Sequence, residues 1–182
     1  MARRRYLWVA CLILAGLVGC GHGGPRGMPP LQTVPRVDLD RYLGAWYEIA
    51  RYPHRFQVGC VASMATYSAL PDGRIRVENQ CRANTLDGPV RRATGVAWAV
   101  PADASNARLE VQFWWPVRGD YWIIALDPDY RYAVVGHPSR EYLWILARHP
   151  QLDANIYQQL LGTIAAQGYD LRRLERTPQP TR

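Results

Sequence analysis

The stretch GAWYEIARYPHRF, residues 44–56, decides how the rest of the chain is read. Residues 44–52 suit a β-strand, because Trp46, Tyr47, Ile49 and Tyr52 are aromatic or β-branched. Pro53 ends the run, since proline cannot donate to a ladder. Side chains alternate across a strand, so Trp46, Glu48 and Ala50 share one face, and Tyr47, Ile49 and Arg51 the other. Neither face is cleanly polar. Such a strand needs a core on one side and a second element packed on the other.

Working outward, seven more runs of strand character follow: 61–70, 74–81, 90–100, 108–115, 121–127, 130–136 and 141–148. Turn residues separate them, most clearly Pro71-Asp72-Gly73. Evenly spaced, hairpin-sized runs predict an antiparallel barrel or sandwich of eight strands, with no strand–helix alternation of the parallel kind. One helix stands out late in the chain. Asp153 is its expected N-cap, Ile156, Tyr157, Leu160, Leu161, Ile164 and Ala165 recur at helical spacing, and Gly168 suits its C-terminal cap. A single amphipathic helix after eight strands lies outside the sheet, which accounts for the doubly apolar first strand. Residues 171–174 are expected to add a short ninth strand.

The N-terminus has a different character. Arg3, Arg4 and Arg5 precede an apolar run over 6–18, too short to span a bilayer, which takes about 20 residues. That charge and length fit a secretory signal over residues 1–19. The run closes on Leu17-Val18-Gly19-Cys20, which resembles the lipobox of bacterial lipoproteins. The resemblance implies that Cys20 becomes the first mature residue, acylated on sulfur and amine, palmitate being the expected chain. Gly21 follows in place of an aspartate, which implies sorting to the outer membrane. Gly- and Pro-rich residues 20–35 read as a flexible tether, 36–176 as the folded domain and 177–182 as a disordered tail.

Two cysteines, Cys60 and Cys81, remain for an exported, oxidising compartment. Pairing across the Asp72-Gly73 turn leaves them three or four residues out of register. A bridge therefore needs a bulge or a loop to absorb the offset, and two free thiols stay open as the other reading. The formal charge of +7 falls to +4 once the three signal arginines are set aside; every basic residue is arginine. In the mature part arginines are interleaved with acids, the pattern of a solvated surface rather than a nucleic-acid groove.

Three elements stand in a recognisable order. Gly44-Ala45-Trp46 opens the first strand, Asp127-Pro128-Asp129-Tyr130 joins the sixth and seventh, and Arg148 closes the eighth. With His54-Arg55-Phe56 and Tyr142-Leu143-Trp144-Ile145-Leu146, this text resembles the lipocalin family, in its bacterial outer-membrane lipoprotein branch. The resemblance spans about residues 36–176. It implies an all-β fold, an eight-stranded up-and-down antiparallel barrel with one C-terminal helix outside. It also implies a closed end where Arg148 packs across Trp46, with Gly44, Asp127 and Tyr130 as structural partners.

A barrel of eight strands holds side chains or one small ligand. The expected ligand is a fatty acid or a lysophospholipid, held by Val111, Phe113, Trp144 and Glu48, and the resemblance implies a role in lipid storage, transport or membrane maintenance. Val111 and Phe113 share a strand face with Leu109, and Trp144 shares one with Arg148. Arg51, Arg55 and Arg118 are candidates for a headgroup. No cofactor or metal is expected, nor a nucleic-acid partner; a homodimer stays open. The alternative is a lipocalin-fold enzyme acting on lipid, with Glu48 as its base. Against it, His22, His54, His137 and His149 occupy no nucleophile elbow, metal pair or phosphate loop. The expected location is the outer membrane, lipid-anchored and facing the periplasm.

Overall fold

β1 (Gly44–Arg51) has neighbours on both edges, and this closes the sheet. One edge pairs with β2 (Cys60–Ala69), the other with β8 (Leu143–Ala147). Between them run β3 (Ile75–Ala83), β4 (Val90–Ala99), β5 (Arg108–Trp114), β6 (Val117–Leu126) and β7 (Tyr132–Gly136), each antiparallel to the next. The computed structural model describes residues 27–181. The signal peptide, Cys20 and the first residues of the tether lie outside that range.

Two apolar layers follow from strand alternation. Inside the barrel, Trp46, Tyr67, Ile75, Val77, Leu109, Ile123, Val135 and Leu146 form one cluster. Outside, Ile49, Tyr52, Trp122, Val134, Leu143 and Ile145 form another, covered by Leu160 and Ile164 of α2 (Ala154–Ala166). Asp153 caps α2 by accepting from the amides of Asn155 and Ile156. The helix thus explains the second apolar face of β1, as the sequence requires. Among the described residues no helix is long and apolar enough to cross a membrane.

Several boundaries differ from the sequence expectation. A four-residue helix, α1 (Leu39–Tyr42), precedes β1; it is too short to show periodicity and is set by Asp38, whose carboxylate accepts from two amides. β6 starts at Val117 rather than 121, because Gly119 and Asp120, poor strand formers alone, pair with Val111 and Glu110. Residues 171–173 form a 3-10 turn, and the ninth strand, β9 (Glu175–Arg176), comes just after it.

The two ends of the domain are also more ordered than composition suggests. Residues 29–35 do not behave as a tether. Leu31 is buried, the Val34 amide donates to Ile123 O (3.0 Å), and Pro29 O accepts from the buried Arg140 guanidinium (2.8 Å). A proline-rich segment leaves its carbonyls free, and a buried arginine needs such acceptors. The 177–181 segment is not loose either. β1 and β2 pair only over Gly44–Tyr47, and above that the chain end fills the seam. Arg176 and Glu175 pair with Ala50 and Arg51, the Thr177 amide donates to Ile49 O, and Ala62 donates to Pro178 O. Unpaired strand edges supplied the partners that local sequence does not reveal.

Candidate functional site

The closed end is built around one indole. Trp46 is fully buried and donates from Nε1 to Tyr42 O at 2.7 Å. The Arg148 guanidinium lies over its ring, with Cζ 3.9 Å from the centroid. All three guanidinium nitrogens donate to carbonyls: Nε to Tyr130, Nη1 to Ala45 and Nη2 to Arg41, at 2.8–3.2 Å. Burial lowers the Arg148 pKa from its ordinary value, and these carbonyls compensate for lost water. Gly44 has φ +93°, and a Cβ there would stand 3.3 Å from Arg148 Nη1. Asp127 organises the neighbouring turn. Its buried carboxylate accepts from the Arg131 side chain and from the amides of Asp129 and Arg131. The Arg131 guanidinium is the main reason its carboxyl stays below the usual carboxylate range. Tyr130, at φ +61°, accepts from Asp38 N through its hydroxyl and stacks under Arg41. The three sequence motifs therefore meet at this end.

Above Trp46 lies a tyrosine layer that sequence reasoning missed. Tyr42 stacks 4.8 Å from Trp46, and Tyr67 sits 5.7 Å from Tyr42. Tyr121, on β6, reaches across the barrel from β2's Tyr67, and its hydroxyl bonds both others, at 2.8 and 2.9 Å. Burial holds all three phenols protonated, with Tyr67 pushed up to about 12. The available signal was that Tyr67 and Tyr121 fall in phase with core residues of their strands.

The open end is different in kind. Val111, Phe113 and Trp144 are half-buried and pack on the interior cluster. Gly95 has no room for a Cβ, which would meet the Phe113 ring at 2.8 Å. Asn79 alternates in phase with Ile75 and Val77 and pairs with Ala65, yet it is exposed. The upper interior therefore admits solvent at that level.

Glu48, only 4% exposed, is tied up in a polar network. It accepts from Arg51 Nη1 (2.6 Å), Thr177 Oγ1 (2.6 Å) and Gln57 Nε2 (2.8 Å). Gln57 Oε1 in turn accepts from Trp144 Nε1 (3.0 Å) and meets His54 Nε2 (2.6 Å). Burial lowers the His54 pKa. Among the described residues, Arg51 Nε and His54 Nδ1 are buried without partners. A half-open cleft of about 370 Å³ lies beside them, lined by Arg51, His54, Gln57, Val58 and Glu175 among others. Gln57 carried no sequence signal, because its role exists only once 52–59 folds over the mouth.

The Cys60–Cys81 disulfide braces this end, with Cα atoms 5.4 Å apart. A bulge in β2 between Val61 and Met64 shifts the register by one residue, and the two cysteines meet across the remaining offset. Around the rim, Phe56, Val58, Leu86, Val90, Trp114, Trp115 and Val117 are exposed, Val58 at 71% and Trp115 at 87%. Of the arginines singled out from sequence, Arg51 is bound to Glu48 and Cys60 O, Arg118 pairs with Glu110, and Arg55 stacks on Phe56. Among the described residues no cluster of three or more His, Cys, Asp or Glu is placed to hold a metal ion.

Comparison with known proteins agrees with this geometry. A lipocalin-like domain model matches residues 37–179. The chain is 40% identical over 157 residues to temperature-induced lipocalin-1 of Arabidopsis thaliana, covering 82% of this chain and 83% of that one. It is 37% identical over 176 residues to outer membrane lipoprotein Blc of Citrobacter freundii, covering 97% and 98%. Its fold resembles insecticyanin from the tobacco hornworm Manduca sexta, with a TM-score of 0.68 at 21% identity, over 84% of this chain and 86% of that one. A closed eight-stranded barrel, an indole capped by a guanidinium at its base, and relatives matched along most of their length lead to one conclusion: the chain belongs to the lipocalin family.

Proposed function

We propose that this lipocalin holds a single-chain amphiphile, a fatty acid or a lysophospholipid, with its acyl chain in the upper barrel and its headgroup at the mouth. The observation that carries the reading is the accessible surface that Val111, Phe113, Trp144 and Asn79 keep in the upper barrel, over a base whose Trp46 is fully buried. Apolar walls with a few convergent polar groups suit an amphiphile. Val111, Phe113 and Trp144 touch the chain. Glu48 acts at one remove, by holding Gln57 and Arg51 in place. Arg55, which makes no ion pair among the described residues, is the best placed of the three arginines for a carboxylate or phosphate.

The wider role is storage, transport or maintenance of membrane lipid at the outer membrane, periplasm-facing and anchored through an acylated Cys20. The support is the lipobox sequence together with relatives named as outer membrane lipoproteins. The apolar rim fits this role, since an acyl chain leaving a bilayer meets Trp and Phe before water. No observation favours the enzyme alternative, because Glu48 has three donors on its two oxygens.

Titration of delipidated protein with a fluorescent fatty acid should give saturable binding with quenching of tryptophan emission. Trp144→Ala should lose most of that quenching while melting near the parent. No saturable binding by the parent overturns the reading. Cys20→Ala should shift the protein from the membrane fraction to the soluble periplasm; retention in the membrane overturns the anchor.

A further inference from the structure

The tyrosine layer contains more hydrogen-bond donors than the protein uses. Tyr42, Tyr67 and Tyr121 bring three hydroxyl protons to two hydrogen bonds, Tyr42 to Tyr121 at 2.8 Å and Tyr67 to Tyr121 at 2.9 Å. Whichever way the two bonds point, one proton has no protein acceptor among the described residues. Tyr42 and Tyr67 are almost fully buried, whereas Tyr121 keeps accessible surface in phase with the interior. When both flanking hydroxyls donate to Tyr121, its own proton is the one left over. A buried donor without an acceptor loses the desolvation energy of that group, so the site favours a ligand that supplies one.

We propose that these hydroxyls are a floor subsite for a neutral oxygen acceptor, a hydroxyl, ketone or epoxide, carried partway along the ligand's acyl chain. The inference rests on the lumen-binding reading above and adds chain chemistry to it. A carboxylate is not the fit: the site is deeply buried, and each nitrogen of the one nearby guanidinium, Arg148, already donates to a carbonyl. Burial raises all three phenol pKa values, so the layer offers a donor throughout the physiological range. Depth sets the position of the oxygen. Tyr121 lies four residues below Val117, the first residue of its strand at the rim. At about 3.3 Å per residue and a tilt near 40°, that is roughly 10 Å along the barrel axis. The oxygen therefore belongs in mid-chain, with the headgroup still at the mouth.

Isothermal titration of the delipidated protein with stearic, 10-hydroxystearic and 12-hydroxystearic acids tests this. At least one hydroxy acid should bind roughly three- to tenfold tighter than stearate, the range one net hydrogen bond supplies. Tyr121→Phe should erase that preference and leave stearate affinity within about twofold of the parent. Tyr67→Phe should reduce it, and serves where Tyr121→Phe folds poorly. Stearate binding with a preference below about twofold in the parent, or a preference undiminished in both variants, overturns the subsite and leaves the lumen reading standing. Binding of none of the three acids overturns both.

Discussion

The two ends of this barrel use the same residue types for opposite purposes. At the closed end Trp46 is fully buried, and Arg148 donates to three carbonyls while covering the ring. At the open end Trp114, Trp115 and Phe56 face solvent, while Arg51 Nε and His54 Nδ1 are buried without partners among the described residues. A residue's contribution follows its surroundings. An indole excluded from water stabilises the fold, and the same indole on a rim is available to another molecule. The indole and guanidinium at the base are packed and hydrogen-bonded, and the exposed aromatics gather at the open end.

The sharpest test of that contrast is truncation at the base. Trp46→Ala should lower stability by about 3–5 kcal/mol, seen as a large fall in Tm, because it empties the volume beneath Arg148. An unchanged Tm breaks the comparison at once. Next is the brace at the mouth. Removing the bridge with Cys60→Ser and Cys81→Ser should destabilise by about 3 kcal/mol in the chain-entropy picture, for a loop with a sequence separation of 21. Arg148→Lys should lose about 2 kcal/mol, since a point ammonium cannot reach three carbonyls and cover a ring together. Urea denaturation measures both.

Acid should separate the two ends. Burial lowers the His54 and His137 pKa values, so those rings contribute stability when neutral, and it is lost as pH falls below the unfolded value of about 6.5. Asp127 is depressed by Arg131, so its contribution is present above the unfolded carboxyl pKa of about 4 and is lost only as pH falls further. Hydrogen exchange should therefore rise first around 52–59 and 137–142, near pH 5–6, and in the 127–131 turn only below about pH 4. Simultaneous loss would remove the distinction. The smallest stability effect belongs to the rim: Trp115→Ser should change stability by less than about 0.5 kcal/mol while slowing fatty-acid uptake from vesicles, followed by stopped-flow fluorescence.

Much of the closed end was legible through the lipocalin resemblance. Gly44, Trp46, Asp127, Tyr130 and Arg148 sit at strand ends in a fixed order, and strand alternation aims Trp46 and Trp144 inward. The disulfide was readable only as a possibility, since the β2 bulge that brings Cys60 to Cys81 has no sequence mark. The tyrosine layer was invisible, because Tyr42, Tyr67 and Tyr121 come from one helix and two strands far apart in sequence. The ends of the domain were misread for a related reason. Proline-rich segments look loose, yet Pro29 O and Pro178 O are acceptors for Arg140 and Ala62.

By itself the sequence determined the alternation of strands and turns and the helix that covers the outside, while its resemblances implied the indole and guanidinium that close the base and the acylation expected at Cys20. The strands, turns and helix are set by neighbours in the chain, by side-chain period and by the conformational limits of glycine and proline. The tertiary structure alone decided which strand residues keep accessible surface inside the barrel, which polar atoms at the mouth go unpaired among the described residues, and how the C-terminal segment seals the seam between β1 and β2. Each depends on groups brought together by barrel closure, and closure is a long-range event that no local pattern encodes.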